Sequence, residues 1–206
     1  MLVISTVTKK AYIAVEYEGK EYFSQVDADC KQSEKILPEI DKILSENNIP
    51  LRKIGNIGIL VGPGSFTGIR IGIALVKGLC AADNSHKVIP ISTLDMMAYI
   101  HKKQDQNSKD FCCVMNALSK RFFIAKYSKT GEKLSSEDMI LEEDLLNVKN
   151  NIVMLKEENL NFIEVDFTPE LILEYAKCLE KERKFISADK IEPIYIRKAQ
   201  AEENLH

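Results

Sequence analysis

The 206-residue sequence predicts an α/β protein built as two small lobes. Stretches with two-residue alternation give way along the chain to stretches with helical spacing. At residues 54–82 a short apolar run passes through a glycine-rich turn into a long apolar segment, the pattern of strand, turn and buried helix. A polar stretch at residues 103–110, KQDQNSKD, then divides the chain into lobes of residues 1–103 and 104–206.

In order, residues 2–4, 11–17 and 20–26 combine β-branched and aromatic residues and are separated by Lys-Lys and Glu-Gly-Lys, which predicts a three-stranded meander. The next segment, CKQSEKILPEIDKILSENN, sets Ile36, Leu37, Ile40, Ile43 and Leu44 at helical spacing, opposite Lys35, Glu39, Asp41 and Lys42. Pro38 inside it predicts an early kink or a late start, because proline removes one helical hydrogen bond. Residues 54–61 read as a strand, and residues 65–81 as a helix of about 25 Å. Residues 87–91 read as another strand. Ser92 then begins a helix through Lys103, with Asp95 placed to reciprocate the cap.

Beyond residue 110, residues 111–116 and 121–127 read as a strand pair, with 139–141 and 152–155 as further strands. A last helix takes Thr168 as its cap and Pro169 in its first turn, with Leu171, Ile172, Tyr175, Ala176 and Leu179 facing inward. The tail EPIYIRKAQAEENLH reads as polar and frayed.

The composition, 45% hydrophobic and 29% charged, is that of a chain with a real core. Its net charge of -3 gives no overall positive field for a nucleic-acid backbone. Five cysteines, at 30, 80, 112, 113 and 178, form no CxxC and sit largely in apolar runs, as buried thiols of a reducing compartment do. MLVISTVTKK lacks the basic segment of a signal peptide, and no apolar run approaches the roughly 20 residues that span a bilayer. A cytoplasmic protein with no membrane contact is expected.

The turn GPGSFTG is the chemically suggestive feature. Pro63 fixes one backbone angle, and Gly62, Gly64 and Gly68 allow angles or close approaches barred to larger residues. With Ser65 or Thr67 as cap, amide groups at the helix N-terminus could receive an anion such as phosphate. The Gly-Lys-Ser/Thr of a P-loop and the GxGxxG spacing are both missing, so a plain strand-to-helix turn is the better physical reading. The following helix carries Ile69, Ile71, Ile73, Ala74, Leu75, Val76, Leu79, Cys80 and Ala81, relieved mainly by Arg70 and Lys77, and so is buried on more than one face. Either a central core position or a partner chain explains that burial, with Gly68, Gly72 and Gly78 offering flat patches.

Other chemistry lacks its parts. His86, His101 and His206 form no HExxH and no paired spacing, so no metal site is expected. Asp27, Asp29, Asp41, Asp95 and Asp110 read as solvated surface. Lys120, Arg121, Phe122, Phe123, Lys126 and Tyr127 interleave basic and aromatic groups, which an edge strand explains as well as a nucleic-acid platform does. Ser65 has no neighbouring base to make it a nucleophile.

VGPGSFTGIRIGIALVKG at 61–78 closely resembles the signature of the bacterial TsaB (YeaZ) family, and QSEKILPEI at 32–40, PISTLDMMA at 90–98 and EPIYIRKA at 192–199 agree in order and spacing. The resemblance implies an actin-like, sugar-kinase-like (ASKHA, RNase H-like) fold. It implies a non-catalytic scaffold subunit of the machinery that makes threonylcarbamoyladenosine in tRNA, paired with a TsaD-like paralogue that transfers the group and served by a TsaE-like ATPase. The tRNA would be reached through the complex. The implied partner interface lies on two helices at 33–47 and 66–82, carried by Ile36, Leu37, Ile40, Ile43, Leu44, Ile69, Arg70, Gly72, Ile73, Val76, Lys77 and Cys80. No independently bound cofactor is expected, ATP or ADP having its place at the partner interface; alone, the chain is expected to form a homodimer.

The chain departs from the family pattern at three places. Ser5 stands where an Asp is usual, Gln32 in place of a His, and Asn116-Ala117-Leu118 in place of Asp-Ala-Arg. Each change removes a charge or possible ligand, which weighs against the alternative of a small actin-fold ATPase or kinase using the glycine turn for phosphate. A protease reading lacks both a metal triad and a nucleophile-base pair.

Overall fold

The computed structural model describes residues 1–27, 32–83, 86–145, 147–158 and 162–196. Cys30, Asp29 and the tail from residue 197 lie outside them. In chain order the elements are β1 (Leu2–Ser5), β2 (Ala11–Tyr17), β3 (Lys20–Val26), α1 (Gln32–Glu46), β4 (Asn56–Gly62), α2 (Phe66–Ala82) and β5 (Lys87–Ser92). There follow α3 (Thr93–Gln104), β6 (Phe111–Asn116), β7 (Arg121–Tyr127), β8 (Asp138–Leu141), α4 (Glu142–Leu145), β9 (Asn151–Leu155), β10 (Ile163–Val165) and α5 (Pro169–Lys181).

Two compact units result. The first comprises residues 1–93 and 167–193, the second residues 94–166 and 194–206. The expected boundary at 103/104 is therefore corrected: the division falls at the start of α3, and α5 returns to the first unit. Residues 103 and 104 end α3 and residues 105–110 form a turn inside the second unit, where the Lys102 ammonium donates to the carbonyls of Asp105 and Gln106 and to the Ser108 hydroxyl. Polarity marked a loop there, and a loop need not separate domains.

The first unit holds a five-stranded sheet ordered β3-β2-β1-β4-β5. The expected meander is present as antiparallel β1-β2-β3, while β4 and β5 join it in parallel. The two-residue period of β4 sends successive residues to opposite faces. A Cβ on Gly58 would lie 3.4 Å from Ala176 of α5, and a Cβ on Gly72 of α2 would lie 2.9 Å from the Ile59 side chain. The helices α2 and α5 thus cover opposite faces. Burial of Ile172, Leu173 and Ala176 makes α5 part of this core; Leu173 was not among the residues expected to face inward, and Leu171, Tyr175 and Leu179 are half-buried. The outer edge of β5 is closed by Ile186, which exchanges two backbone hydrogen bonds with Val88.

Helix α1 starts at Gln32 and continues through Pro38 to Glu46, so the late start is not what the structure shows. The proline is on the exposed side, where the missing amide is not needed by the packed face.

The second unit holds a sheet ordered β10-β9-β6-β7-β8. Its strand β7 lies between β6 and β8 and is not an edge strand, and Phe122, Phe123 and Tyr127 are buried, so they offer no stacking platform. On one face His101 of α3 meets Phe111 edge-on at 4.5 Å, and Phe111 stacks on Tyr127 at 5.6 Å. The other face carries Cys112, Val114, Phe122, Ile124, Ile152 and Met154, with Leu145 of α4 against it. Among the described residues no helix is long and apolar enough to cross a membrane.

Candidate functional site: the glycine turn and the outer face of α2

The turn between β4 and α2 is fixed by the loop that follows β1. Ser65 caps α2, its hydroxyl accepting from the Gly68 amide at 3.1 Å, while its own amide donates to the Val7 carbonyl at 2.8 Å. The Thr6 hydroxyl donates to the Gly68 carbonyl at 2.7 Å. Gly64 has φ +155, and a Cβ there would lie 2.5 Å from the Val7 carbonyl oxygen. At Gly68 the added atom would lie 1.9 Å from the Thr6 carbonyl oxygen. The glycines of the turn are therefore required by contact with residues 6 and 7. Gly62, with φ +109, leads into a cis bond to Pro63, and both are buried; Thr67 is exposed. Two of the amides an anion would use, those of Ser65 and Gly68, already have protein acceptors.

The helices sort the expected interface residues into two groups. Ile36, Ile40, Ile43 and Leu44 of α1, and Ile69, Gly72, Ile73, Val76 and Cys80 of α2, are buried within the first unit. Those nine are corrected from contact residues to core residues: a helix on a sheet turns its large aliphatics inward, and a partner meets what remains. Leu37, Arg70 and Lys77 do face outward, Leu37 half exposed at 50%.

The outer row of α2 holds Gly78, expected as a flat patch, together with residues outside the expected interface set. Ala74, Gly78 and Ala81 are exposed, Ile71 and Leu75 are half-buried, and Phe66 at 39% exposure lies under the Arg70 guanidinium, 3.9 Å from its ring centre. The spacing of 74, 78 and 81 marks a single stripe, the signal by which the sequence alone could have found it. A Cβ on Gly78 would meet nothing within 4 Å, unlike one on Gly68 or Gly72. Nothing among the described residues uses the smallness of Gly78. The helices α1 and α2 are neighbours in the first unit.

The departures from the family pattern are placed as follows. Ser5 is fully buried at the end of β1, and its hydroxyl has no hydrogen-bond partner among the described residues. Gln32 is the first residue of α1, followed by exposed Ser33 and Glu34, which keep the family's residues. The Asn116 side chain accepts from the Leu118 amide at 2.7 Å, in a turn where Leu118, Ser119 and Lys120 all have positive φ and Leu118 is 74% exposed. Among the described residues no group of three or more His, Cys, Asp or Glu could hold a metal ion.

One acidic residue read as surface has a structural role. The Asp95 carboxylate accepts from the Tyr127 hydroxyl at 2.6 Å and from Lys133 at 2.9 Å. Burial first, then the Asp95 charge, pushes the Tyr127 phenol far above its ordinary range. Burial likewise raises the Cys112 and Cys113 thiols and keeps them unreactive. His101 is also buried, has no hydrogen-bond partner on either ring nitrogen among the described residues, and has its pKa lowered by desolvation.

The chain is similar to known proteins along most of its length. The family model described as "TsaD: tRNA N6-adenosine threonylcarbamoyltransferase" matches residues 26–174. The "tRNA threonylcarbamoyladenosine biosynthesis protein TsaB" of Haemophilus influenzae is 28% identical across 96% of this chain and 93% of its own length. The protein of the same name from Escherichia coli is 34% identical across 48% of this chain and 42% of its own. Two solved structures share the fold: YeaZ from Pseudomonas aeruginosa, with TM-score 0.75 at 22% identity over 94% of this chain and 98% of that one, and a protein described as similar to peptidase YEAZ from Pseudomonas aeruginosa, with TM-score 0.76 at 21% identity over 95% and 98%.

Proposed function

Because this chain belongs to the family of tRNA N6-adenosine threonylcarbamoyltransferases described as TsaD, and within it to the TsaB (YeaZ) proteins of threonylcarbamoyladenosine biosynthesis, we propose that it is the supporting subunit of that tRNA modification machinery. It docks a TsaD-like paralogue through the outer row of α2 and the neighbouring part of α1. The transfer chemistry belongs to the partner, a TsaE-like ATPase and the tRNA join through the complex, and any ATP or ADP sits at the partner interface. The complex works in the cytoplasm, and without its partner the chain pairs with a second copy through the same row, since an apolar stripe that fits a paralogue can be self-complementary.

The observation that carries this reading is Gly78: exposed, with open space where a side chain would stand, in a stripe of Ala74, Ala81 and half-buried Ile71 and Leu75. Small residues in a helix surface let a second helix approach closely.

The test mixes the chain with its cognate TsaD-like protein and follows the complex by size exclusion with light scattering. A one-to-one complex is expected. Gly78→Arg and Leu75→Glu should lose it while keeping the unfolding temperature of the parent chain. Ile73 is unsuited to this purpose, being 8% exposed, so a charge there would disrupt the core. Failure to associate, or an undiminished complex with Gly78→Arg, would refute the proposal.

A further inference from the structure

We propose that the free edge of β3 is a self-association surface, on which a second copy of this chain pairs its own β3 antiparallel and joins the two first-unit sheets into one. β3 ends the sheet order β3-β2-β1-β4-β5, and among the described residues no strand lies beyond it. Its pairing with β2 fixes which backbone groups face outward. Glu18 and Gly19, both at positive φ, form the two-residue turn of the β2-β3 hairpin, and Tyr17 and Lys20 close it. A closing pair exchanges both hydrogen bonds, and such pairs alternate with unbonded ones. Lys20, Tyr22, Ser24 and Val26 therefore bond to β2, while the amides and carbonyls of Glu21, Phe23 and Gln25 point away from it. The helices cover the faces of this strand and leave its edge open: Ser24 donates to the Glu39 carboxylate of α1 at 2.9 Å, and Lys177 of α5 meets Glu21 at 2.6 Å.

Edge strands that stay single are blunted by brevity, proline, a bulge or charges along the edge. β3 has seven residues in unbroken register with β2, contains no proline, and carries its two charges, Lys20 and Glu21, at the turn end. Its sequence also fits itself. The antiparallel register that pairs all seven residues is centred on Phe23 and sets Phe23 against Phe23 of the second copy, Glu21 against Gln25, Tyr22 against Ser24 and Lys20 against Val26. No like charges face each other, and each half-buried Phe23 gains an aromatic neighbour. Moving the centre to Glu21 would oppose two carboxylates. Because α2 packs on β4, separated from β3 by β2 and β1, copies joined at β3 keep the α2 row for a TsaD-like partner, giving an assembly with two of each chain. The edge pairing itself does not depend on that partner.

The experiment follows sedimentation of the full chain and of Gly78→Arg, which removes the proposed α2 contact, at up to about 0.1 mM protein. A dimer should persist in Gly78→Arg. In that background Gln25→Lys, which meets Glu21 of the other copy on both sides of the two-fold axis, should tighten the dimer about fivefold, and Gln25→Glu should weaken it by a similar factor. Gln25→Pro deletes an amide that bonds nothing within the sheet, so it should fold and be monomeric. Should that variant fail to fold, the two charge variants, altered at an exposed position, still decide. Amide exchange reads the register: at Glu21, Phe23 and Gln25 it should slow as protein concentration rises, while Tyr22 and Ser24 stay protected throughout. A monomeric Gly78→Arg, equal affinities of the Gln25→Lys and Gln25→Glu variants, or exchange at the three outward amides independent of concentration would each overturn the proposal. The complex with the TsaD-like protein is a separate readout, which Gln25→Lys and Gln25→Glu should leave unchanged.

Discussion

At Gly68 a Cβ would come within 1.9 Å of the Thr6 carbonyl oxygen, whereas at Gly78 it would meet nothing within 4 Å. The same substitution should therefore have opposite signs on one helix. Gly68→Ala forces the loop after β1 away from α2 and should cost about 3 kcal/mol. Gly78→Ala removes a helix-interior glycine at no steric cost and should gain up to about 1 kcal/mol. Urea unfolding of the isolated chain measures both, and a destabilised Gly78→Ala would mean that the position is packed after all. His101 gives a pH dependence whose sign is fixed by burial. Its folded pKa lies below the ordinary 6.5, so its contribution is complete above that pH and is lost as pH falls below 6.5 toward the folded value. The charge would be buried against Phe111 with no acceptor on either nitrogen among the described residues. The urea midpoint should therefore fall between pH 7 and pH 5.5, and His101→Phe should fall less over the same interval; parallel curves would exclude His101 as the source.

Among the elements, α5 belongs to a sheet whose first strands lie at the other end of the chain. Its close contact is between Ala176 and the space above Gly58, where a Cβ would already stand 3.4 Å away. Ala176→Leu should overpack that contact and cost about 1–3 kcal/mol. Amide exchange should then accelerate together in β1, β4 and α5, with β6, β7 and β9 unchanged; a uniform response across both sheets would contradict the division into units. The periodicity of α5 was legible in the sequence, as were its Thr168 cap and the bounds of β2, β3, β6 and β7, because each depends on neighbours in the chain. What α5 covers was not legible, since nothing local to residues 169–181 specifies a sheet formed by residues 2–92. The strand β10 and helix α4, three and four residues long, are too short to show a period. At the site, the glycine turn and its helix were legible from GPGSFTG and the apolar run, but the direction of each side chain was not. A helix apolar nearly all round does not reveal which row meets the sheet, so Ile73 and Val76 were expected outside, and Gly78 was read as one of three flat patches together with Gly68 and Gly72, which are buried.

For the whole molecule, the decisive quantity is where charge lies. With nine carboxylates and two lysines, net -7, in residues 137–166, the remaining 176 residues carry +4, so the modest total of -3 conceals an acidic region and a mildly basic remainder. Neither is a strong attractor for a polyanion: tRNA binding without a partner depends on several lysines or arginines neutralising phosphates together, and each contact steepens the salt dependence. The aromatic residues that could have stacked on bases, Phe122, Phe123 and Tyr127, are enclosed in the second sheet. The isolated chain should therefore show no saturable binding of tRNA at about 0.15 M salt and tens of micromolar protein, while a complex with the TsaD-like partner should bind. Filter binding across a salt series checks both arms. If the isolated chain bound tRNA with a steep salt slope, the basic residues outside 137–166 would have to form a phosphate-contacting surface, and the chain would be a tRNA-recognition subunit rather than a support for its partner.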